Sequence, residues 1–393
     1  VDPAGLSRAV PERACYACGE AGLVAFSDLG DVPVECGQHW ASQADAVASP
    51  VGRVVLGYCP ECGYVRNLAF DESLVDPAAP TDMNLYHSAT FRAFSSALVA
   101  ELAGQLPLSG RRVLEVGCAQ GEFLRELCQL AGCTGVGYDP SYAGPEGADP
   151  SGAEFRRGPA PLDGELPRFD VVVSRFLLEH VADPYLFLAR LRQHAAVGHL
   201  QVPDAGYDLA TAGWEVIYPH VSYFGASALS RIAARAGWRV DGTEAIFSGL
   251  IRRLDVSAAP GGGVGTAGLE TDRDRLLAAV AGFDQRHHAE RRRWRETIGT
   301  LVDQGARPVL WGAGSRGVQL LNFADPDRRL TAVVDLNPAK WGRYLPVTGH
   351  RVDGPERLRG SGTRAVVITN PVYRDEIAKS LAELGLTAEI LAA

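Results

Sequence analysis

The stretch that most constrains the fold is 111–121, RRVLEVGCAQG. Val113, Leu114 and Val116 read as a short buried strand, ending in a glycine turn that opens a helix over 122–130. Gly117 and Gly121 let the backbone turn tightly and approach a ligand that a side chain would exclude. Strand, glycine turn and helix in that order say more than a glycine pattern alone. About 18 residues on, a second apolar strand, 134–138, ends at Asp139, where a doubly wound α/β sheet places the acid that grips a ribose diol.

A dinucleotide turn has three glycines, because a pyrophosphate needs the helix N-terminus open. Here the turn is Glu115-x-Gly117-x-x-x-Gly121, with no phosphate-cradling Lys or Ser/Thr after it. It resembles the first motif of class I S-adenosylmethionine-dependent methyltransferases, whose donor presents a charged methionine end. That resemblance implies donor contacts from Glu115, Gly117, Cys118, Ala119, Gln120 and Gly121. It adds Asp139, and Ser174 and Arg175 at the end of a later strand.

At 393 residues the chain has room for two or three domains. A net charge of −9 argues against nucleic acid or an anionic membrane as the main partner. No run approaches the roughly 18 apolar residues of a membrane span, and the first residues lack the apolar core of a signal peptide. The expectation is a cytoplasmic enzyme, monomer or homodimer, with a small-molecule substrate. The only lysines, Lys340 and Lys379, stand among many arginines, which reads as base composition and not function.

Cys15-Tyr-Ala-Cys18 is answered by Cys59-Pro-Glu-Cys62. Two C-x-x-C knuckles suit tetrahedral zinc, because each turn presents two thiolates to one side. Four sulfur ligands close the site, so the metal is structural. Cys36 is an alternative ligand; Cys118, Cys128 and Cys133 read as packing residues.

The chain divides into a zinc-binding unit (1–75), a methyltransferase unit (76–257), a linker and long helix (258–304), and a Rossmann-like unit (305–393). Pro77 and Pro80 break the chain before a helix in 84–106, with Tyr86 and His87 at its entrance. The strand 169–173 leads into Ser174-Arg175-Phe176 and Leu177-Leu178-Glu179-His180; Asp183-Pro184 then starts a helix by cap and N1 proline. Strand 199–203, helix 226–236 and strands near 238–245 and 251–256 complete a seven-strand reading. Residues 258–268, AAPGGGVGTAG, are the clearest linker, and 272–304 reads as one long charged helix. After it, 309–311 leads into Gly312-Ala-Gly314-Ser315-Arg316-Gly317, then a helix and a strand ending at Asp335. A last strand ends at Asn370-Pro371-Val372-Tyr373 before a helix over 374–384.

Nearly the whole chain resembles three-domain sugar C-methyltransferases that act on nucleotide-linked deoxysugars. The resemblance runs from the paired cysteines through LEVGC and FLLEHVADP to WGAGSRG, VVDLNPAK, GRYLPVTGH and NPVYRDEI. It implies methylation of the carbon beside the ketone of a 4-keto-6-deoxysugar on thymidine diphosphate (dTDP), at C-3. Such a C–H is a weak acid, so the site needs a base and a group to hold the enolate oxygen. His180, with Glu179 beside it, follows the strand that should lie over the donor methyl, and histidine titrates in the useful range. Tyr86 is placed to hydrogen-bond the ketone or relay its proton. In IYPHVSYF, Tyr218, His220 and Tyr223 form a second polar cluster expected to face the sugar. The family usually carries Glu-His where this chain has Pro219-His220, which moves weight from His220 towards Tyr86 and His180.

Read from residues alone, Gly312, Gly314 and Gly317 with Asp335 form a dinucleotide site. The resemblance implies instead that Gly312, Gly314, Ser315, Arg316, Gly317, Asp335, Asn370 and Tyr373 hold the sugar nucleotide. Two alternatives stay open: a bifunctional enzyme that also reduces the 4-ketone with NADPH, and an O- or N-methyltransferase of another small molecule.

Overall fold

The computed structural model describes residues 14–20, 22–76, 84–164, 166–258 and 268–393. Its centre is an eight-stranded sheet. In spatial order the strands are Arg239–Ile246, Ile251–Ser257, Ala195–Pro203, Phe169–Arg175, Arg112–Val116, Thr134–Asp139, Ala153–Arg157 and Gly147–Ala148. The strands from Ala195–Pro203 through Ala153–Arg157 are parallel, and both edges turn antiparallel. This is the doubly wound sheet of class I S-adenosylmethionine-dependent methyltransferases, with Arg112–Val116 in the middle and fully paired on both sides. The apolar run of Phe169–Arg175 is buried along nearly its whole length, as a central parallel strand must be.

Strand Ala153–Arg157 and its short antiparallel partner make eight strands where seven were expected. AEFRR has one large apolar residue, Phe155, so its place next to the edge was invisible to hydrophobic patterning. Residues 259–267 and the two prolines at 77 and 80 lie outside the described residues.

Local chemistry sets the helix starts. Ser88 caps helix Ala89–Gln105 by accepting from the Phe91 N–H at 3.2 Å. Asp183 caps Pro184–His194 through the Leu186 N–H at 2.8 Å, with Pro184 in the first turn as expected.

A four-stranded antiparallel sheet precedes the centre: Val24–Pro33, Val51–Tyr58 and Val65–Asn67, closed by Ser222–Tyr223 from the methyltransferase unit. The third sheet is parallel throughout, ordered Val352–Asp353, Ala332–Val334, Val309–Trp311, Ala365–Ile368, Glu389–Ala392. Helix Leu269–Asp303 ties the units together. Its residues Leu276, Val280, Phe283, His287, Trp294 and Ile298 recur at three- and four-residue spacing and are buried. The apolar ones share one core with Leu56 of the first sheet and Leu310 of the third. No described helix is long and apolar enough to cross a membrane.

Candidate active site

One cavity of about 920 Å³ opens along the C-terminal edges of both parallel sheets, the position where open α/β sheets bind ligands. Its walls include residues 115–120 of the donor turn, Asp139, Arg175, Glu179, His180 and His220. Opposite lie the second glycine turn 312–317 (apart from Ala313), Asp335, Asn370 and Tyr373. Tyr86 and His87 line the same cavity.

At the donor end, Gly121 begins helix Glu122–Ala131 with φ +84°, and any Cβ there would run into the Phe155 ring. Ala119 holds φ 48° and Phe176 φ 54°. Such non-glycine strain persists only where surrounding structure fixes it, often at a ligand site. Asp139 accepts from the Ala119 N–H at 2.8 Å and from Ser141 N–H and Oγ–H at 2.7 and 2.6 Å. Gln120 braces the same loop, donating to the Ser141 carbonyl at 2.9 Å and accepting from the Ala143 N–H at 3.0 Å. Glu115 is 2% exposed, with Oε2 unpartnered. Burial pushes its pKa to about 8, against the pull of Arg175. The guanidinium of Arg175 also has a buried, unpartnered nitrogen, Nη2. A donor carrying an ammonium and a carboxylate on one carbon fits this pair of opposite, unsatisfied groups. Ser174 does not join them: strand alternation turns its hydroxyl away from the cavity into the sheet, so the expected donor contact is corrected.

Above the donor turn, His180 and His220 meet edge to face, ring centroids 4.8 Å apart. His180 Nδ1 lies 3.0 Å from the Pro219 carbonyl; that oxygen can only accept, so the proton is on Nδ1 and Nε2 keeps its lone pair. The backbone of Glu215 holds His220, whose Nδ1 is buried without a partner. Burial lowers the His220 pKa to about 3. His180 is lowered too, first by burial and then by His220. Because its ring is exposed to the cavity, water there offsets part of that desolvation, and only the direction matters: both rings are neutral at pH 7. Glu179 Oε2 is also buried and unpartnered, and burial raises its pKa to about 8. One ligand atom from each of Glu179, His180 and His220 falls within a 4.8 Å span, an arrangement able to hold a proton, a substrate hydroxyl or a divalent ion.

Tyr86 points its hydroxyl at Ser95 Oγ, 2.7 Å away, and accepts from Arg175 Nη1 at 3.3 Å. Burial raises its pKa, so it is a donor and not a base at neutral pH. Tyr218 and Tyr223 do not face the cavity, which corrects the expectation. Tyr218 bonds the backbone of Asp71 at 2.9 and 3.1 Å, and Tyr223 donates to the Ile217 carbonyl at 3.1 Å. Pairing of Ser222–Tyr223 with Val65–Arg66 draws this stretch under the first sheet. His220 alone of that cluster reaches the cavity.

In the second glycine turn, a Cβ on Gly317 would collide with the Gly312 carbonyl, whereas Gly312 and Gly314 border open space. Arg316 is turned inward, paired with Asp208 and Glu215 at 2.7 Å each; Ser315 donates to Glu215 at 2.8 Å. Asp335 accepts from the Ala313 N–H at 2.7 Å and from Lys340 Nζ at 3.2 Å. Lys340, which the sequence reading dismissed, is therefore a buried cation at the cavity wall. Its Asx neighbour Asn337 in a short turn was the available signal. Asn370 caps its own turn through the Val372 N–H at 3.1 Å. Burial and Glu376 raise the Tyr373 pKa.

Cys15, Cys18, Cys59 and Cys62 converge remote from the cavity, with Sγ···Sγ distances of 3.6 Å for Cys15–Cys62 and Cys18–Cys59. A tetrahedron of thiolates around zinc, with Zn–S of about 2.3 Å, has edges of about 3.8 Å. Mutual crowding and burial push the Cys15 and Cys62 thiols up, so four thiolates need a cation among them. The set fits zinc. Cys36 is buried elsewhere, its thiol against the Pro33 carbonyl, and is not one of the four.

A family model described as a methyltransferase domain matches residues 86–242. A second, described as the C-methyltransferase C-terminal domain, matches 270–388. Fold and family model together give residues 86–242 of this chain a methyltransferase domain. More narrowly, the chain carries the C-terminal domain described for C-methyltransferases.

Curated relatives include ubiquinone biosynthesis O-methyltransferases. That of Azorhizobium caulinodans is 38% identical over 91 residues, covering 21% of this chain and 36% of the relative. That of Ruegeria sp. is 32% identical over 134 residues, covering 30% and 52%. The chain thus spans about a third to a half of the length of these relatives. Among solved structures, magnesium protoporphyrin IX methyltransferase from Synechocystis PCC 6803 with bound SAH is 16% identical. It covers 47% of this chain and 91% of that one, with a TM-score of 0.36.

Proposed function

We propose that this chain is a C-methyltransferase acting beside the ketone of a dTDP-linked 4-keto-deoxysugar, at C-3. The observation that carries the reading is the placement of the neutral His180–His220 pair. It lines the same cavity as the donor turn and the second glycine turn. A neutral imidazole with a free Nε2 accepts the acidic proton, and the enolate carbon attacks the sulfonium methyl in line. Holding carbanion and methyl in register removes much of the remaining barrier. Tyr86, a donor at neutral pH, suits the enolate oxygen. Lys340 at the opposite wall offers charge to a diphosphate, with Gly312 and Gly314 leaving room for it.

The O-methyl reading draws support from the names of the curated relatives. The added ketoreductase reading is disfavoured by Asp335, whose carboxylate a ribose diol would have to win from Lys340.

The test is mass spectrometry of a dTDP-4-keto-2,6-dideoxyhexose incubated with donor, with and without NADPH. A gain of one methylene from donor alone, with a carbon-bound methyl in the ¹³C spectrum, is the expected result. An oxygen-bound methyl supports the O-methyl reading, and two further hydrogens that need NADPH support the reductase. No mass change with this sugar sinks the proposal.

A further inference from the structure

A buried hydrogen-bonded line leaves the donor end of the cavity and crosses the central sheet. The Arg175 guanidinium lies over Phe123, 4.2 Å from its centroid. Its Nε donates to Gln201 Oε1 at 2.9 Å. Gln201 Nε2 is 3.0 Å from His199 Nε2, and His199 Nδ1 is 2.7 Å from Asp255 Oδ1. Gln201 is fully buried and His199 is 1% exposed. The line starts on Phe169–Arg175, passes through two residues of Ala195–Pro203 and ends on Ile251–Ser257; Arg175 with Gln201, and His199 with Asp255, are direct cross-strand partners.

Only one arrangement of protons satisfies this line. An arginine nitrogen can only donate, so Gln201 must show its oxygen to Arg175 and its NH₂ to His199. His199 Nε2 must then accept, which puts the ring proton on Nδ1, facing Asp255. A second proton on His199 would set two donors against each other at Gln201. The amide could satisfy His199 only by flipping, and Arg175 would lose its anchor.

We infer that Asp255, His199 and Gln201 are positioning residues for the methyl donor, acting through Arg175, and that protonation of His199 weakens donor binding. The inference rests on the reading of this cavity end as the donor site. There the free Nη2 of Arg175 takes the donor's carboxylate while Glu115 takes its ammonium. The charges around His199 are Asp255 and, beyond it, Arg253, which Glu101 and Glu244 hold at 2.5 and 3.2 Å; Arg175 lies on the other side. Burial lowers the His199 pKa, Asp255 opposes, and both arginines add to the lowering. The switch therefore falls below the ordinary histidine pKa of about 6.5.

Calorimetric titration of the full chain with S-adenosylhomocysteine between pH 5 and 8 tests this, with Gln201→Glu and His199→Gln beside the wild type. Glu115 contributes a gradual loss of affinity as pH falls. The wild type should show a second, steeper loss below about pH 6.5. Both variants should lack it. An amide at position 199 offers a donor and an acceptor at any pH, and a carboxylate at position 201 accepts from Arg175 and from a protonated His199. Parallel curves for all three proteins overturn the inference. Ligand-free ¹⁵N NMR of the histidine side chains checks the line without a variant. It should report His199 as the Nδ1–H tautomer at pH 7, and the Nε2–H tautomer overturns the inference alone. If S-adenosylhomocysteine fails to bind at any pH, the donor-site reading falls and takes this inference with it.

Discussion

Glu115 sits at the donor end as a buried carboxyl without a cation bonded to it, held at a pKa of about 8. An ammonium placed against it favours the carboxylate and lowers that pKa. Binding of S-adenosylhomocysteine at pH 7 should therefore release up to about one proton, and the release should vanish above pH 9 where Glu115 is already ionised. Calorimetry in buffers of different ionisation enthalpy reads this directly. Glu115→Gln should abolish the release and weaken binding by about 10- to 100-fold, the worth of a charge-assisted hydrogen bond; unchanged release in the variant would place the proton elsewhere. Without ligand, the raised pKa favours the folded state below the ordinary glutamate value of 4.5 and loses that contribution as pH rises through about 8. A different assignment is at stake at His180 and Tyr86. Deuterium exchange beside the substrate ketone, run without donor, should slow by about 10²- to 10⁴-fold in His180→Asn. It should slow less in Tyr86→Phe, since the phenol only supports the oxygen. Equal exchange in both variants and the wild type would remove both from the proton step.

Helix Ala89–Gln105 carries the Tyr86 side of the cavity, and its N-terminus is clasped from the C-terminal unit. Glu376, on helix Arg374–Glu383, accepts from Ser88 Oγ–H at 2.5 Å and from the Ala89 and Thr90 N–H groups at 2.8 and 3.2 Å. Burial pushes the Glu376 carboxyl up, but the hydrogen bonds from Ser88, Thr90 and Ala89 outweigh it and hold the group below the usual carboxylate range; the orphan amides also carry the positive end of the helix dipole. Glu376→Ala should cost about 1 kcal/mol of stability, as lost caps do. If the clasp also sets the cavity, the KM for the sugar nucleotide rises while the affinity for S-adenosylhomocysteine stays the same. A rise in KM together with a loss of affinity for S-adenosylhomocysteine would mean that the helix as a whole has shifted. Sequence patterning could not show this pairing, because Ser88 and Glu376 look like an ordinary cap and an ordinary surface acid. It did show the strand, glycine turn and helix of 112–131 and the strand that ends at Asp139, where backbone geometry dictates residue type. It misplaced Tyr218 and Tyr223 because a two-residue strand, Ser222–Tyr223, is too short to announce itself by periodicity. The line through Gln201 and His199 left a fainter signal, polar residues at alternate positions in an otherwise apolar strand. That signal names a buried network only once Asp255 is seen beside it.

At the scale of the molecule, the four cysteines are not an appendage. Cys15, Cys59 and Cys62 belong to the same buried core as Leu178, Phe187, Phe224 and Leu229 of the methyltransferase unit. Tyr64, just after the second knuckle, bonds Ser222 at 2.6 Å, and Ser222–Tyr223 follows His220 by two residues. A metal at the knuckles is thus joined to the active-site histidine through one short strand pair. Full occupancy should be one zinc per chain by elemental analysis. A second equivalent lost in Glu179→Gln but retained in Cys59→Ser would instead locate an ion at Glu179, His180 and His220. Chelation leaves four crowded thiols without their cation, and Cys59→Ser leaves three; either should lower the melting temperature by several degrees, since about 1 kcal/mol moves it by roughly 2–4 °C in a domain of about 150–250 residues. The loss should not stop at the first sheet. Hydrogen exchange at Val65–Asn67 and at 217–224 should rise together, and methyl transfer should fall before the donor turn at 115–121 loosens. Exchange that rises at the knuckles alone, with turnover unchanged, would mean that the metal holds only its own loop and that the shared core is rigid without it.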